Sequence, residues 1–103
     1  MTTPEGKLVA YIKKTVKDAG GEVRKCEWAG RSGAPDLFIM YKDRHFWVEC
    51  KAPGMYPRPT QVREIEKMRT AGCEVLVIDR AVNFDLIWTA IVNDGVMPTN
   101  EQL

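Results

Sequence analysis

At 103 residues, with 45% hydrophobic and 28% charged residues, the chain has room for one compact core and the make-up of a globular protein, not of a disordered tail. A formal net charge of +1 excludes a polybasic arm that grips nucleic acid by bulk charge, and leaves open a local basic patch or a metal that bridges phosphate. No apolar run approaches the roughly 20 residues that span a bilayer, and no signal-peptide core opens the chain. The three cysteines, Cys26, Cys50 and Cys73, form neither a disulfide framework nor a zinc-ligand pair, which points to a reducing compartment. The expectation is a single domain over residues 1–103, in the cytoplasm and free of membrane.

Residues 4–19 carry Leu8, Val9, Ile12, Val16 and Ala19 at helical spacing. Thr2 or Thr3 suits the cap, Pro4 the first turn, and Gly20-Gly21 the end. A strand is expected over 22–28, then a Gly-rich turn over 29–35. Two apolar runs, 37–41 and 46–50, are separated only by Lys42-Asp43-Arg44-His45, which predicts a β-hairpin covered on both faces. Prolines and a glycine make 52–59 a loop. Thr60 is expected to cap a second helix with Val62, Ile65 and Met68 inward and Gly72 at its close. Residues 74–78 read as a buried strand, and Asn83 as the cap of a third helix over 84–93 with Gly95 just beyond. The order α-β-β-β-α-β-α predicts an α/β fold, a mixed sheet between helices.

Polar residues interrupt these apolar elements at one place. Asp36 opens the second strand, and Glu49 and Lys51, at i and i+2 near the end of the third, point to one face. Pairing about a turn near Asp43 sets Asp36 opposite Glu49 or Cys50, so the hairpin's open end gathers two carboxylates and an ammonium. Carboxylates held close raise each other's pKa unless a cation lies between them. His45, the sole histidine, lies at the far end by the turn, so the ligands are all oxygen. Such a set suits Mg²⁺ or Mn²⁺, with positions left for water and substrate phosphate. Lys51 beside the ion would orient or deprotonate a water, or neutralise charge building on phosphorus. The competing reading is a surface hairpin with a Glu49–Lys51 ion pair. Apolar Trp47, Val48 and Cys50 around it weigh against that.

Several neighbours carry two readings. Glu5 falls on the inward face of the first helix with Leu8 and Ile12, or forms a T-x-x-E capping box with Thr2. Gln61, in the first turn of the second helix, is either an exposed helix-start residue or a hydrogen-bond support for a ligand carboxylate or a metal's water. The turn Gly30-Arg31-Ser32-Gly33 either just connects strands or offers backbone N–H groups and Arg31 to a phosphate. Arg58 and Lys51 flank a loop with Tyr56, a mix of cation and aromatic that suits backbone tracking of nucleic acid.

Together, Glu5 in the first helix, G-A-P-D at 33–36, V-E-C-K-A-P-G at 48–54 and P-T-Q at 59–61 resemble the VRR-NUC family, part of the PD-(D/E)xK nuclease superfamily. The resemblance covers nearly the whole chain, and the element order matches that superfamily's restriction-endonuclease-like αβββαβ core with a further C-terminal helix and a four-stranded sheet. It implies that Asp36 and Glu49 are metal ligands, joined by the Cys50 backbone carbonyl and by Glu5. It also implies that Lys51 is the catalytic lysine and Gln61 the supporting glutamine. The implied reaction is Mg²⁺- or Mn²⁺-dependent attack of water on a DNA phosphodiester, leaving 5′-phosphate and 3′-hydroxyl ends. Small stand-alone members, from phages or bacteria, are similar to Holliday-junction resolvases and act as homodimers, so the implied substrate is branched DNA handled in recombination or repair.

A dimer is also expected from the third helix itself. Phe84, Leu86, Ile87, Trp88, Ile91 and Val92 make it apolar over most of its circumference, more than one buried face needs. A two-fold interface there would set two sites for paired cuts. The rival readings are a less selective nuclease acting on flaps or duplex, a non-catalytic DNA-binding module on the same fold, and a small structural dimer.

Overall fold

The computed structural model describes residues 3–94. α1 spans Pro4–Asp18, β1 Glu22–Lys25, β2 Leu37–Tyr41, β3 Arg44–Cys50, α2 Pro59–Thr70, β4 Val75–Ile78 and α3 Ala81–Asp94. The expected order is met element for element, and the differences lie at the ends.

Thr3 caps α1: its hydroxyl accepts from the Gly6 N–H at 3.0 Å, with Pro4 in the first helical position. Thr2, the other candidate, lies outside the described residues. With Thr3 as the cap, the residue three positions on is Gly6, so the T-x-x-E box is not the one that starts this helix and Glu5 is left free of capping. After α1 the chain turns sharply at the buried Gly21. A Cβ there would stand 2.6 Å from Val16 Cγ1 and 2.9 Å from the Met40 carbonyl oxygen. Gly21→Ala is therefore expected to cost about 1–3 kcal/mol of stability, read from urea unfolding, because backbone as well as side chain must give way.

β1 ends short of the expected Trp28. The Cys26 N–H still donates to the Asp36 carbonyl at 2.9 Å, but Trp28 leaves the sheet to reach α2. Between β2 and β3 the turn is only Lys42-Asp43, with Tyr41 paired to Arg44 and Lys42 at φ 57°. That left-handed conformation is what a two-residue hairpin demands. Leu37 pairs with Val48, so the next step along the register faces Asp36 with Glu49.

The sheet order is β1-β2-β3-β4. The first two pairings are antiparallel and β3–β4 is parallel, with α2 in the crossover that a parallel pair requires. Buried residues of α1 and α3 (Ile12, Val16, Phe84, Trp88, Ile91) pack with Leu37, Ile39, Phe46, Val48, Leu76 and Ile78 on one face. Under α2, a smaller cluster joins Ile65, Met68 and Val75 to Trp28, Trp47 and Val77. β2 alternates as a strand between two layers does: Leu37, Ile39 and Tyr41 are buried, while Phe38 and Met40 are half-buried.

Both later helices start earlier than expected. Arg58, not Thr60, precedes the first residue of α2, because Pro59 with its fixed φ takes the first helical position. α3 begins at Ala81 instead of being capped by Asn83. The Arg80 carbonyl accepts from the Phe84 N–H, and the Asn83 side chain donates back to Asp79 Oδ1 at 3.0 Å. Gly95, expected past the end of α3, lies outside the described residues. The inward stripe of α2 is also shifted: Val62 is exposed, and Glu64 is buried beside Ile65 and Met68. No described helix is long and apolar enough to cross a membrane.

Candidate active site

Asp36 is held where three segments meet. Its Oδ2 accepts from the Cys50 N–H at 2.8 Å, and its own carbonyl accepts from Cys26. The N–H and C=O of one residue in an extended strand leave on the same edge, so the Cys50 carbonyl also lies on the Asp36 side of β3.

Glu49 points the other way from the main core, toward α2, and is only 1% exposed. Its Oε2 accepts from Lys51 Nζ at 2.9 Å and from Gln61 Nε2 at 2.9 Å. Its Oε1 is buried and has no hydrogen-bond partner. Burial pushes the Glu49 carboxyl upward, and the hydrogen bond from Lys51 opposes that rise while the charge on Asp36 adds to it. A buried carboxylate oxygen left without a partner costs about 1–3 kcal/mol. Among the described residues Glu74 Oε2 is in the same state, but only Glu49 Oε1 lies beside a second carboxylate.

Gln61 is fixed at both ends of its amide. Its Oε1 accepts from the Arg58 N–H at 3.0 Å, closing the first turn of α2, and this aims Nε2 at Glu49. The supporting glutamine read from the sequence thus also serves as the helix-start residue that was its alternative.

The Cys50 thiol is pushed up to about 12, by burial first and then by the negative charges of Asp36, Glu49 and Glu5. Its side chain is buried in the main core, on the sheet face opposite Glu49, so the donors left at this place are hard oxygen. Glu5 is close enough for its charge to be felt at Cys50, yet it is exposed at the start of α1, a helix whose buried side packs on the face opposite Glu49. Among the described residues, no group of three or more His, Cys, Asp or Glu side chains could hold a metal ion, so Glu5 is not gathered with Asp36 and Glu49 as a third side-chain ligand. A hard dication that is content with one or two carboxylates, with water and phosphate filling its other positions, still fits Asp36, the unpartnered Glu49 Oε1 and the Cys50 carbonyl.

The basic residues divide. Lys51 is largely buried and engaged with Glu49, and Arg58 is exposed at the start of α2. Arg31 Nη2 donates to Glu64 Oε1 at 2.6 Å. Beside Asp36 lies a cavity of about 360 Å³ whose lining includes Trp28, Arg31, Ser32 and Asp36. His45 is exposed on β3, against the rings of Phe38 and Trp47.

Sequence reasoning missed Glu64 and Trp28. Trp28 Nε1 donates to Glu64 Oε2 at 2.7 Å, so both oxygens of this 8%-exposed carboxylate are occupied. The signal was present in the spacing, since 61, 64, 65 and 68 form one helical stripe at i, i+3, i+4 and i+7. An acidic residue on the inward stripe of a helix asks for partners.

The mixed four-stranded sheet in the order αβββαβ, with paired carboxylates at its hairpin mouth, matches the restriction-endonuclease-like core expected from the sequence. A solved structure described as "VRR_NUC domain" superposes with a TM-score of 0.80 at 36% sequence identity, covering 85% of this chain and 97% of that one. "Putative nuclease p44" of Acyrthosiphon pisum secondary endosymbiont phage 1 is 36% identical over 76 residues, 73% of this chain and 82% of the relative. No family model matches the chain. On the strength of these two relatives, the chain belongs to the VRR-NUC family of nucleases.

Proposed function

We propose that this chain is a Mg²⁺- or Mn²⁺-dependent DNA endonuclease that cuts branched DNA, four-way junctions first, as a homodimer. The observation that carries the chemistry is Glu49 Oε1, a carboxylate oxygen buried without a partner and facing a second carboxylate across the hairpin. Asp36, Glu49 and the Cys50 carbonyl would hold the ion, which supplies Lewis-acid polarisation of the phosphate and a more acidic water. Lys51 would neutralise negative charge as it builds on phosphorus, and Gln61 fixes the carboxylate that Lys51 touches. Water oxygen bonds to phosphorus and the bond to the 3′ oxygen breaks, leaving 5′-phosphate and 3′-hydroxyl ends. Arg58 and Tyr56, both exposed in the stretch between Lys51 and Gln61, suit the backbone and bases of the substrate.

The dimer reading rests on α3, where Val82, Leu86 and Val92 remain exposed although Phe84, Trp88 and Ile91 are buried. The phage origin of the relative supports a place in the cytoplasm of an infected or lysogenic bacterial cell.

Labelled four-way junction, flap and linear duplex, incubated with Mg²⁺ and without it, test this reading. Symmetric paired cuts in the junction, dependent on the ion, together with a dimer mass in light scattering, are the expected result. Cutting of all three substrates alike would replace the junction assignment with a less selective nuclease. A folded protein that binds DNA but never cuts would overturn the enzymatic reading in favour of a binding module.

A further inference from the structure

We infer that Glu64 is a positioning residue for the carboxylate pair, holding Asp36 in place through the loop that delivers it. This rests on the reading of Asp36 and Glu49 as the metal-holding pair. The buried side of α2 carries Gln61 and Glu64 one turn apart. Gln61 grips Glu49 on β3 at 2.9 Å. Glu64 grips Trp28 at 2.7 Å and Arg31 at 2.6 Å, both in the segment between β1 and β2 that ends on Asp36.

A second observation shows how tightly that segment is seated. Gly33 has φ +96°, and a Cβ placed on it would stand 3.0 Å from Glu64 Cβ and 3.1 Å from the Thr60 carbonyl oxygen. The loop therefore lies directly on the first turns of α2, and only glycine permits both the conformation and the approach. Asp36 sits just outside β2, its carbonyl bonded to the Cys26 N–H and its Oδ2 to the Cys50 N–H, so the loop that precedes it sets the rest of its placement. One helix thus reaches both carboxylates: Glu49 directly through Gln61, and Asp36 through the Glu64 clamp on its loop.

The test compares the parent with Glu64→Ala, Glu64→Gln, Arg31→Ala and, as a zero reference, Asp36→Ala. Two readouts are taken across a Mn²⁺ titration: the metal-dependent rise in melting temperature and the rate of DNA cleavage. Glu64→Ala should raise the half-saturating Mn²⁺ concentration about 10- to 100-fold in both, as loss of a support behind a ligand does. Glu64→Gln, which keeps an acceptor for Trp28, should recover most of the parent's metal response, and Arg31→Ala should fall between. A Glu64→Ala protein that melts lower but saturates at the parent's Mn²⁺ concentration would reduce Glu64 to a fold-stabilising residue and overturn the inference. Should Glu64→Ala fail to fold, Arg31→Ala decides on the same criterion, and an unchanged metal requirement there overturns it. A parent protein that neither responds to Mn²⁺ nor cuts would overturn the metal-site reading and the positioning role with it, an outcome distinct from the failure of the clamp alone.

Discussion

Lys51→Ala is expected to cut DNA about 10²–10³-fold more slowly than the parent, the range over which loss of one group that stabilises developing transition-state charge falls. Single-turnover cleavage at saturating Mg²⁺ measures it, and a variant that cuts at the parent rate would refute the assignment. Asp36→Ala and Glu49→Ala should each be at least as inactive. The stability effects should separate the variants. Lys51→Ala removes the cationic partner of Glu49 and leaves a buried carboxylate with Gln61 as its remaining side-chain donor, at a cost of about 1–3 kcal/mol without metal. Glu49→Ala instead leaves Lys51, whose long stem can carry the ammonium toward water, and should cost less. Combining the two substitutions should relieve part of the Lys51→Ala loss, and urea unfolding of the three variants in chelator checks that order.

Phe84→Ala is the substitution expected to damage the fold most. Phe84 is fully buried, lies 5.8 Å from the stacked ring of Trp88, and belongs to the cluster that joins α3 to α1 and the sheet. Trp88 in turn meets the edge of Tyr41 on β2 at 5.0 Å. Emptying that position should cost about 3–5 kcal/mol, a large share of the stability of a chain this size. Leu86→Glu, two residues on, gives the contrast. Leu86 is 69% exposed, so a charge there should leave the unfolding of the monomer within about 0.5 kcal/mol. If α3 forms the interface between copies, Leu86→Glu should nevertheless shift the light-scattering mass from dimer to monomer. An unchanged dimer would move the interface elsewhere.

Much of the site was legible because its parts are joined by short-range rules. A two-residue turn fixes which residues of β2 and β3 face each other, and alternation along a strand puts Glu49 and Lys51 on one face. Those two rules bring Asp36 and Glu49 together without knowledge of any other element. Gln61 could be placed near them only by kind, since its reach to Glu49 depends on how α2 packs over the sheet. For Arg31 and Glu5 the local pattern left two readings each. Arg31 found a buried carboxylate to pair with, and Thr3 took the cap that would have occupied Glu5.

By itself, then, the sequence determined the order of elements and the hairpin with its carboxylates and lysine, because each follows from periodicity, turn chemistry and residues close along the chain. The family entered through the resemblance of its motifs. The tertiary structure alone decided that α2 ties both carboxylates down, through Glu49–Gln61 and through the loop held by Glu64. The Trp28 and Glu64 that meet there stand 36 positions apart, and no local propensity encodes a contact made only when a helix folds back across the sheet.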